Sequence, residues 1–255
     1  MDGLGGGRVS VLVWRVAQPV WLNLRHRLRV TAVVGEGEGI WSVCLTGRRL
    51  ESLPVEAGQF FSWRFLAGPG WTRTHPYSLS ALPGSSSLRI TVQAIGDGSA
   101  ATRDLRPGTR ALIEGPYGRL SARTRTRPKV ALIGAGVGIT PLRALAEGLR
   151  YAPGEAIWIE RFSHQPMFAG EVDDLARHRG LQVLRPPGHR RASDSWLGEG
   201  IGGVDDLAAL LFWAPDIAVR DVYVCGPEPW TDLVRRTLTA AGLPPEQLHS
   251  EIFAW

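Results

Sequence analysis

Cysteine is scarce in this chain of 255 residues, because only Cys44 and Cys225 occur, far apart and outside any Cys-x-x-Cys spacing. This usage argues against a disulfide framework and against a zinc or iron–sulfur site. The histidines do not fall at metal-ligand or haem-ligand spacing on one helix either. We therefore expect no metal site within the chain, and a reducing compartment.

A long hydrophobic run is also missing. Residues 9–24 are apolar, but Arg15 and Pro19 interrupt them, and a complete membrane span takes roughly 20 apolar residues. The basic sequence RHRLR follows at residues 25–29, as it does where a membrane helix leaves the bilayer on its cytoplasmic side. For residues 1–25 we expect a frayed helix end or an interfacial anchor in peripheral contact with a membrane. An ordinary amphipathic arm is the alternative.

Signal-peptidase cleavage chemistry is absent after this apolar segment, so we expect no secretory signal. The expected location is the cytoplasm or the cytoplasmic side of a membrane.

Lysine is nearly absent, and arginine supplies almost all of the positive charge that gives the chain its formal net charge of +5. Such a balance suits phosphate-bearing ligands, an acidic membrane surface or nucleic acid, although codon bias explains it equally well. The sequence has no basic stripe with interleaved aromatic residues, so we expect no nucleic-acid partner.

Six short strand patterns, separated by turns rich in Gly, Pro and Ser, occupy residues 26–122. Closely spaced short strands with such turns predict an antiparallel, six-stranded β-barrel. The polar, basic segment SARTRTRPK reads as a linker. In residues 123–255 apolar runs alternate with amphipathic helical patterns, which predicts a doubly wound parallel α/β domain.

Three glycines mark the end of the first α/β strand. Gly134, Gly136 and Gly138 precede a helical pattern that begins with Ile139, Thr140 and Pro141. Backbone N–H groups at such a helix N-terminus favour an anion, although a glycine-rich turn needs no ligand. The spacing departs from the dinucleotide fingerprint, and no acidic residue stands cleanly at the end of the second strand to bind a ribose.

Four motifs in order, HPYSLS, GPYG, GAGVGITP and CGP, resemble those of the ferredoxin reductase superfamily over nearly the whole chain. The His in HPYS is most similar to the ferric reductase and NADPH oxidase branch, in which a membrane haem domain precedes the flavin barrel. For this chain we expect the flavin and nucleotide domains of that branch without a complete membrane haem domain.

The resemblance implies FAD and NADP as cofactors, with NAD as the alternative nucleotide and FMN as the alternative flavin. The residues that it assigns to the flavin are His75, Pro76, Tyr77 and Ser78 around the ring, and Gly98, Ser99 and Ala100 at the pyrophosphate. A half-buried strand and a Ser-capped turn are the structural alternatives for these two segments.

The same resemblance assigns the nicotinamide dinucleotide to the glycine run, including Ile139, Thr140 and Pro141, and its nicotinamide end to Cys225, Gly226 and Pro227. By resemblance, the terminal Glu251, Phe253 and Trp255 reach back to the flavin. Ser78, Cys225 and Glu251 are the candidate catalytic residues. An inert, packed thiol is the alternative for Cys225.

Nucleotide preference depends on the second α/β strand. Arg161, with Arg190 and Arg191, offers guanidinium groups for the 2′-phosphate of NADPH, although solvated surface arginine is nearly as good an explanation. For Arg143, assistance to the diphosphate and simple solvation are open alternatives.

The function that follows from the resemblance is transfer of a hydride from NAD(P)H to FAD, then of single electrons to a haem, a ferric complex or another acceptor. The acceptor is a protein partner, a membrane haem domain or a small molecule. The alternative is a non-catalytic flavin- and nucleotide-binding module that senses redox state, or an electron-transfer partner subunit.

Overall fold

The computed structural model describes residues 17–68 and 71–252. The described part of the N-terminal segment is a helix, α1 (residues 17–26), that docks on the barrel. Leu22 and His26 are buried, and the Asn23 amide accepts a hydrogen bond from the Ile113 N–H and donates one to its carbonyl. No helix in the described ranges is both long and apolar enough to cross a bilayer.

Six antiparallel strands form the first domain, as predicted. They are β1 (Arg29–Gly37), β2 (Ile40–Thr46), β3 (Phe60–Phe65), β4 (His75–Ser78), β5 (Ser87–Gln93) and β6 (Ala111–Tyr117). Two three-stranded sheets, ordered β1-β2-β5 and β4-β3-β6, are joined by isolated bridges between Arg29 and Arg110 and between Leu79 and Ile90. The inward-facing side chains, such as Phe61 and Trp63, fill the closed barrel.

The second domain is a five-stranded parallel sheet with helices on both faces, which confirms the doubly wound prediction. Its strands are β7 (Val130–Ala135), β8 (Ala156–Arg161), β9 (Gln182–Leu184), β10 (Asp221–Gly226) and β11 (Leu248–Ile252), in the order β11-β10-β7-β8-β9. The helices are α2 (Asp97–Ala100) in the first domain and α3 (Ile139–Gly148), α4 (Ala169–Arg179), α5 (Asp206–Trp213) and α6 (Glu228–Ala240) in the second.

Alternation along β7 separates the two cores of this domain. Leu132 packs in the cluster that contains α3 and α4, whereas Ile133 packs in the cluster that contains α5 and α6. The chain runs outward from β7 to β8 and β9, and then returns to place β10 on the other side of β7. This reversal puts a topological switch point at the carboxyl ends of β7 and β10.

The basic linker between the domains is held by one buried carboxylate. Asp221, with no exposed surface, accepts hydrogen bonds from the backbone N–H groups of Thr126 and Arg127 and contacts the His249 imidazole at 2.9 Å. The first strand of the α/β domain therefore starts from a fixed point rather than from a free tether.

An ion-pair network joins the two domains. Glu171 on α4 accepts two hydrogen bonds from Arg89 on β5, at 2.6 and 2.9 Å, and pairs with Arg143 on α3 at 2.6 Å. Arg143 also pairs with Glu147, whose carboxylate accepts from the Leu82 N–H of the barrel side. Arg143 is only 8% exposed and pairs across the domain interface, which argues against simple solvation; its assistance to the diphosphate stays a prediction.

Replacing Glu171 by Gln should lower the free energy of unfolding by about 2 kcal/mol, because two largely buried guanidinium groups lose their charged acceptor. Urea unfolding of the variant checks this, with the exposed Glu199→Gln as the matched control. Equal stability of the two variants would contradict the prediction.

The difference in free energy of unfolding between the wild type and E171Q should depend on pH. Burial acts to raise the pKa of Glu171, but the hydrogen bonds and charges of Arg89 and Arg143 outweigh it and hold that pKa below the ordinary 4.5. The stabilisation is therefore present above the ordinary pKa and is lost as the pH falls through the lower, folded-state pKa. The wild type and E171Q should converge in acid.

Candidate functional site

A cavity of about 290 Å³ lies between the barrel and the α/β domain. The barrel supplies strand β4, the end of β5 and the turn before α2, and the α/β domain supplies Val137 and Thr140 from the glycine run and the start of α3. Two segments that the sequence singles out for separate ligands thus line one space. Ligand pockets commonly enclose about 300–1,000 Å³, so this space suits one ring system.

Two hydroxyl groups of β4 line this cavity without a partner. Tyr77 is 7% exposed and Ser78 3%, and neither Tyr77 Oη nor Ser78 Oγ has a hydrogen-bond partner in the described part of the chain. Burial raises the pKa of Tyr77 to about 12, so it keeps its O–H at neutral pH. Since buried hydroxyls are normally hydrogen-bonded, this pair fits the polar edge of the expected flavin ring.

His75 stands where this cavity meets a second one of about 210 Å³. Its ring stacks on Tyr77 at 5.9 Å, and a side chain at Gly98 would come within 2.5 Å of it. Burial, and secondarily Arg73, lower the pKa of His75, so its imidazole is mostly neutral at pH 7. Arg73, two residues before His75, places a guanidinium group at the second cavity. This residue was not identified from the sequence.

The turn before α2 has the Ser-capped geometry that the sequence allows as the structural alternative, and the binding of a pyrophosphate there stays a prediction. Ser99 Oγ accepts from the N–H groups of Ile95 and Gly96 and donates to the Gly96 carbonyl, so this hydroxyl closes the turn. The Ala100 N–H is also engaged, by the Gly96 carbonyl at 2.9 Å. Gly98 and Ser99 line the cavity, whereas Ala100 is not brought to its lining.

The three glycines of the β7–α3 connection have two distinct roles. At Gly138 a Cβ would lie 2.5 Å from the Cys225 carbonyl oxygen, and at Gly134 it would lie 2.7 Å from Ile139. These two positions allow the helix start, strand and β10 loop to pack closely. Gly136 has φ of +55° with nothing within 4 Å of a Cβ, so its backbone borders open space.

The first residues of α3 also have two roles, one at the cavity and one in the core. Thr140 lines the cavity and donates its hydroxyl to the Val137 carbonyl at 2.9 Å. Ile139 and Pro141 are buried, and they fix the direction of the first helical turn.

Cys225 and Glu251 occupy neighbouring register positions on β10 and β11. Cys225 is fully buried, and burial, with a smaller effect of Glu251, raises the pKa of its thiol, which stays protonated. Burial also raises the pKa of Glu251, whose Oε1 accepts from the Arg119 N–H at 2.5 Å. Its Oε2 is buried without a hydrogen-bond partner among the described residues.

Gly226 and Pro227 continue from Cys225 to the start of α6, where Gly226 packs against the Trp230 ring. Phe253 and Trp255 lie outside the described residues.

The three candidate arginines for a 2′-phosphate have different partners in the structure. Arg161 ends β8, and Arg190 lies close enough to contribute, after burial, to lowering the pKa of Arg161. Arg191 is instead paired with Asp206 at 3.0 Å and with Ser195, so we correct its expected role from ligand binding to packing of the loop on α5.

Glu160 precedes Arg161 and is the acidic residue nearest the end of the second strand. It is 1% exposed and accepts hydrogen bonds from Trp158 and from the Met167 N–H. Its carboxylate is therefore hydrogen-bonded inside the α/β domain.

Together these residues surround a cavity between the two domains that suits a planar ring system. Neutral hydroxyls lie on the barrel side, an open backbone turn follows β7, and a protonated thiol ends β10. The site holds no set of three His, Cys, Asp or Glu side chains arranged as metal ligands within the described ranges. Its residues suit binding and orientation of cofactors rather than nucleophilic attack.

Comparison with known proteins supports this geometry, although no family model matches the chain. The chain is 26% identical over 253 residues to the glycine betaine monooxygenase reductase subunit of Chromohalobacter salexigens. This match covers 93% of this chain and 67% of that protein. It is 32% identical over 242 residues to a flavohemoprotein of Pseudomonas aeruginosa, and this match covers 91% of this chain and 60% of the relative. The chain thus spans about two thirds of the first relative and three fifths of the second.

Among solved structures, the flavohem-like FAD/NAD binding domain of nitric oxide dioxygenase from Vibrio cholerae O1 biovar El Tor superposes with a TM-score of 0.68 at 21% identity. The match covers 90% of this chain and 99% of that domain. This likeness confirms the fold, a barrel followed by a five-stranded parallel α/β domain.

Replacing Gly138 by Ala should destabilise the chain by about 2 kcal/mol, because the new methyl group would overlap the Cys225 backbone. Thermal unfolding measures the effect, which corresponds to a fall in Tm of several degrees. Gly202→Ala is the matched control, since no atom lies within 4 Å of a Cβ built there. Equal Tm values would contradict the assigned close contact.

Proposed function

We propose that this chain is a ferredoxin reductase-like, FAD- and NAD(P)-binding oxidoreductase, which passes a hydride from NAD(P)H to FAD and single electrons onward to a separate acceptor. The observation that carries this proposal is the shared cavity, in which the unpartnered Tyr77 and Ser78 hydroxyls meet the start of α3. When bound, FAD supplies the conversion of a two-electron donor into one-electron steps.

The chain's own contribution is positioning. The Tyr77 and Ser78 hydroxyls hold the ring on the barrel side, and the backbone around Gly136 receives the diphosphate of the dinucleotide. Cys225 places an uncharged thiol at the switch point, where a fixed negative charge would oppose electron-rich intermediates. The raised pKa of Glu251 lets Oε2 hold a proton at a higher pH than an exposed carboxyl does.

For the electron acceptor we propose a haem protein or an oxygenase component. This rests on the relatives, which include a monooxygenase reductase subunit and a flavohemoprotein. A ferric complex is the small-molecule alternative. Membership of the ferric reductase and NADPH oxidase branch, with a membrane haem partner, rests on His75 in the motif and is part of the same proposal. A cytoplasmic location, free or at the membrane, is proposed from the scarce cysteines.

Anaerobic titration of the FAD-loaded chain with NADPH, and separately with NADH, tests the function. We expect the protein to retain FAD, to lose flavin absorbance on titration and to recover it when ferricyanide accepts electrons. Ser78→Ala should weaken FAD binding by roughly fivefold, since one hydrogen bond of about 1 kcal/mol is lost. The exposed Ser193→Ala is the control.

Failure to retain FAD or FMN would contradict the proposal. Retention of flavin without any loss of absorbance would instead favour the redox-sensing module or partner subunit.

We propose NADPH as the preferred donor, with Arg161 and Arg190 at the 2′-phosphate. Arg190→Gln should raise the KM for NADPH about tenfold and leave the KM for NADH unchanged, because only NADPH carries the charged group. Steady-state kinetics with both nucleotides measure the effect, and the exposed Arg236→Gln in the same domain is the control. An equal effect on both nucleotides would contradict this role.

A further inference from the structure

A cavity of about 530 Å³ at the far end of the barrel is lined by four arginines and no acidic residue. It lies where α1 passes into β1, beside the turn after β2 and the residue before β6. Its lining residues are Asn23, Leu24, Arg27, Arg29, Thr46, Gly47, Arg48 and Arg110. None of them lines the cofactor cavities described above.

These four arginines have no carboxylate partner in the described part of the chain. Arg27 donates to the Leu24 carbonyl at 3.1 Å and Arg29 to the Gly108 carbonyl at 2.9 Å, while Arg48 and Arg110 make no side-chain hydrogen bond in the described ranges. Four like charges around one space repel each other, and an anion entering that space would relieve the repulsion. This arrangement contrasts with the paired arginines of the domain interface.

The exposed face of α1 borders the cavity and is apolar. Val20, Trp21 and Leu24 are 53%, 54% and 63% exposed, and with Ala17 they fall within about 100° of the helix circumference. The opposite face is the one that docks on the barrel through Leu22. Leu24 belongs both to the apolar face and to the cavity lining, so the two features form one surface.

We propose that this surface, the apolar face of α1 with the arginine cavity, docks on a membrane containing anionic phospholipids. The guanidinium groups bind lipid phosphates, and Val20, Trp21 and Leu24 enter the boundary between headgroups and acyl chains. Residues 17–29 contain no acidic side chain, which makes the charge of this surface complementary to such a membrane. A free phosphate would use the arginines but would leave the neighbouring apolar face without a partner.

Docking here goes beyond the proposed electron transfer and does not depend on it. Vesicle binding by the full, FAD-loaded chain therefore provides an independent test. We expect co-sedimentation with vesicles of phosphatidylcholine and phosphatidylglycerol, weak binding to phosphatidylcholine alone, and loss of binding as salt screens the charges.

Two double variants separate the contributions. R48Q/R110Q should lower the vesicle partition coefficient by roughly tenfold or more, because each arginine near an anionic surface contributes strongly to binding. R150Q/R236Q removes the same charge from exposed positions of the other domain and should bind as the wild type does. V20Q/L24Q should also weaken binding, and all variants should keep the wild-type rate of NAD(P)H-dependent ferricyanide reduction.

Several outcomes would overturn the proposal. They are no preference of the wild type for anionic vesicles, equal losses in R48Q/R110Q and R150Q/R236Q, or complete displacement by millimolar inorganic phosphate, which would identify a free-anion site. A dimer in light scattering that V20Q/L24Q abolishes, without vesicle binding by the wild type, would assign the surface to a second copy of the chain.

Discussion

The bridge that Glu171 makes between Arg89 and Arg143 is the constraint on which the candidate site depends. The cavity has one wall in the barrel and the other in the α/β domain, so its width follows from how the domains are held. Two ring systems react only when they are stacked closely, and an error of about 1 Å in such a geometry is costly. A carboxylate shared by two arginines on different elements fixes direction as well as distance. The buried Asp221 separately fixes the end of the linker to the α/β domain, at the start of β10.

The sequence predicted the architecture well because its signals are local. Strand alternation, turn residues and the change to a strand–helix rhythm reflect backbone periodicity, and all six barrel strands lie where these patterns place them. The glycine run was also recognisable, but the different structural role of each glycine was not. Gly138 is required by a contact with Cys225, 87 positions away in the chain, whereas Gly136 is required by its own positive φ. Spacing within a motif does not distinguish these two causes.

What the sequence could not predict are side-chain partners that come from distant elements. Arg143 follows the glycine motif closely, yet its partner Glu171 lies on another helix, so local inspection could only leave it open. Arg190 and Arg191 are adjacent and have the same chemistry, but only Arg191 forms an ion pair with Asp206. The sequence alone does not distinguish the two. The hydroxyl of Ser99 completes its own turn, which is one of the two interpretations that the sequence allowed. Arg73 had the only simple signal that was overlooked, its position two residues before the His75 motif.

The distribution of charge gives these observations a common basis. Several arginines that hold the fold are paired with carboxylates, as in Arg89 and Arg220, so their charge is locally compensated. The side chains proposed to lie near the rings are neutral instead, since burial keeps both the Tyr77 hydroxyl and the Cys225 thiol protonated. The net positive charge is thus left to unpaired arginines at the edges, where phosphates can reach them without disturbing the potential felt by the rings. A cofactor that carries charge on its diphosphate and reactivity on its rings is matched by this separation.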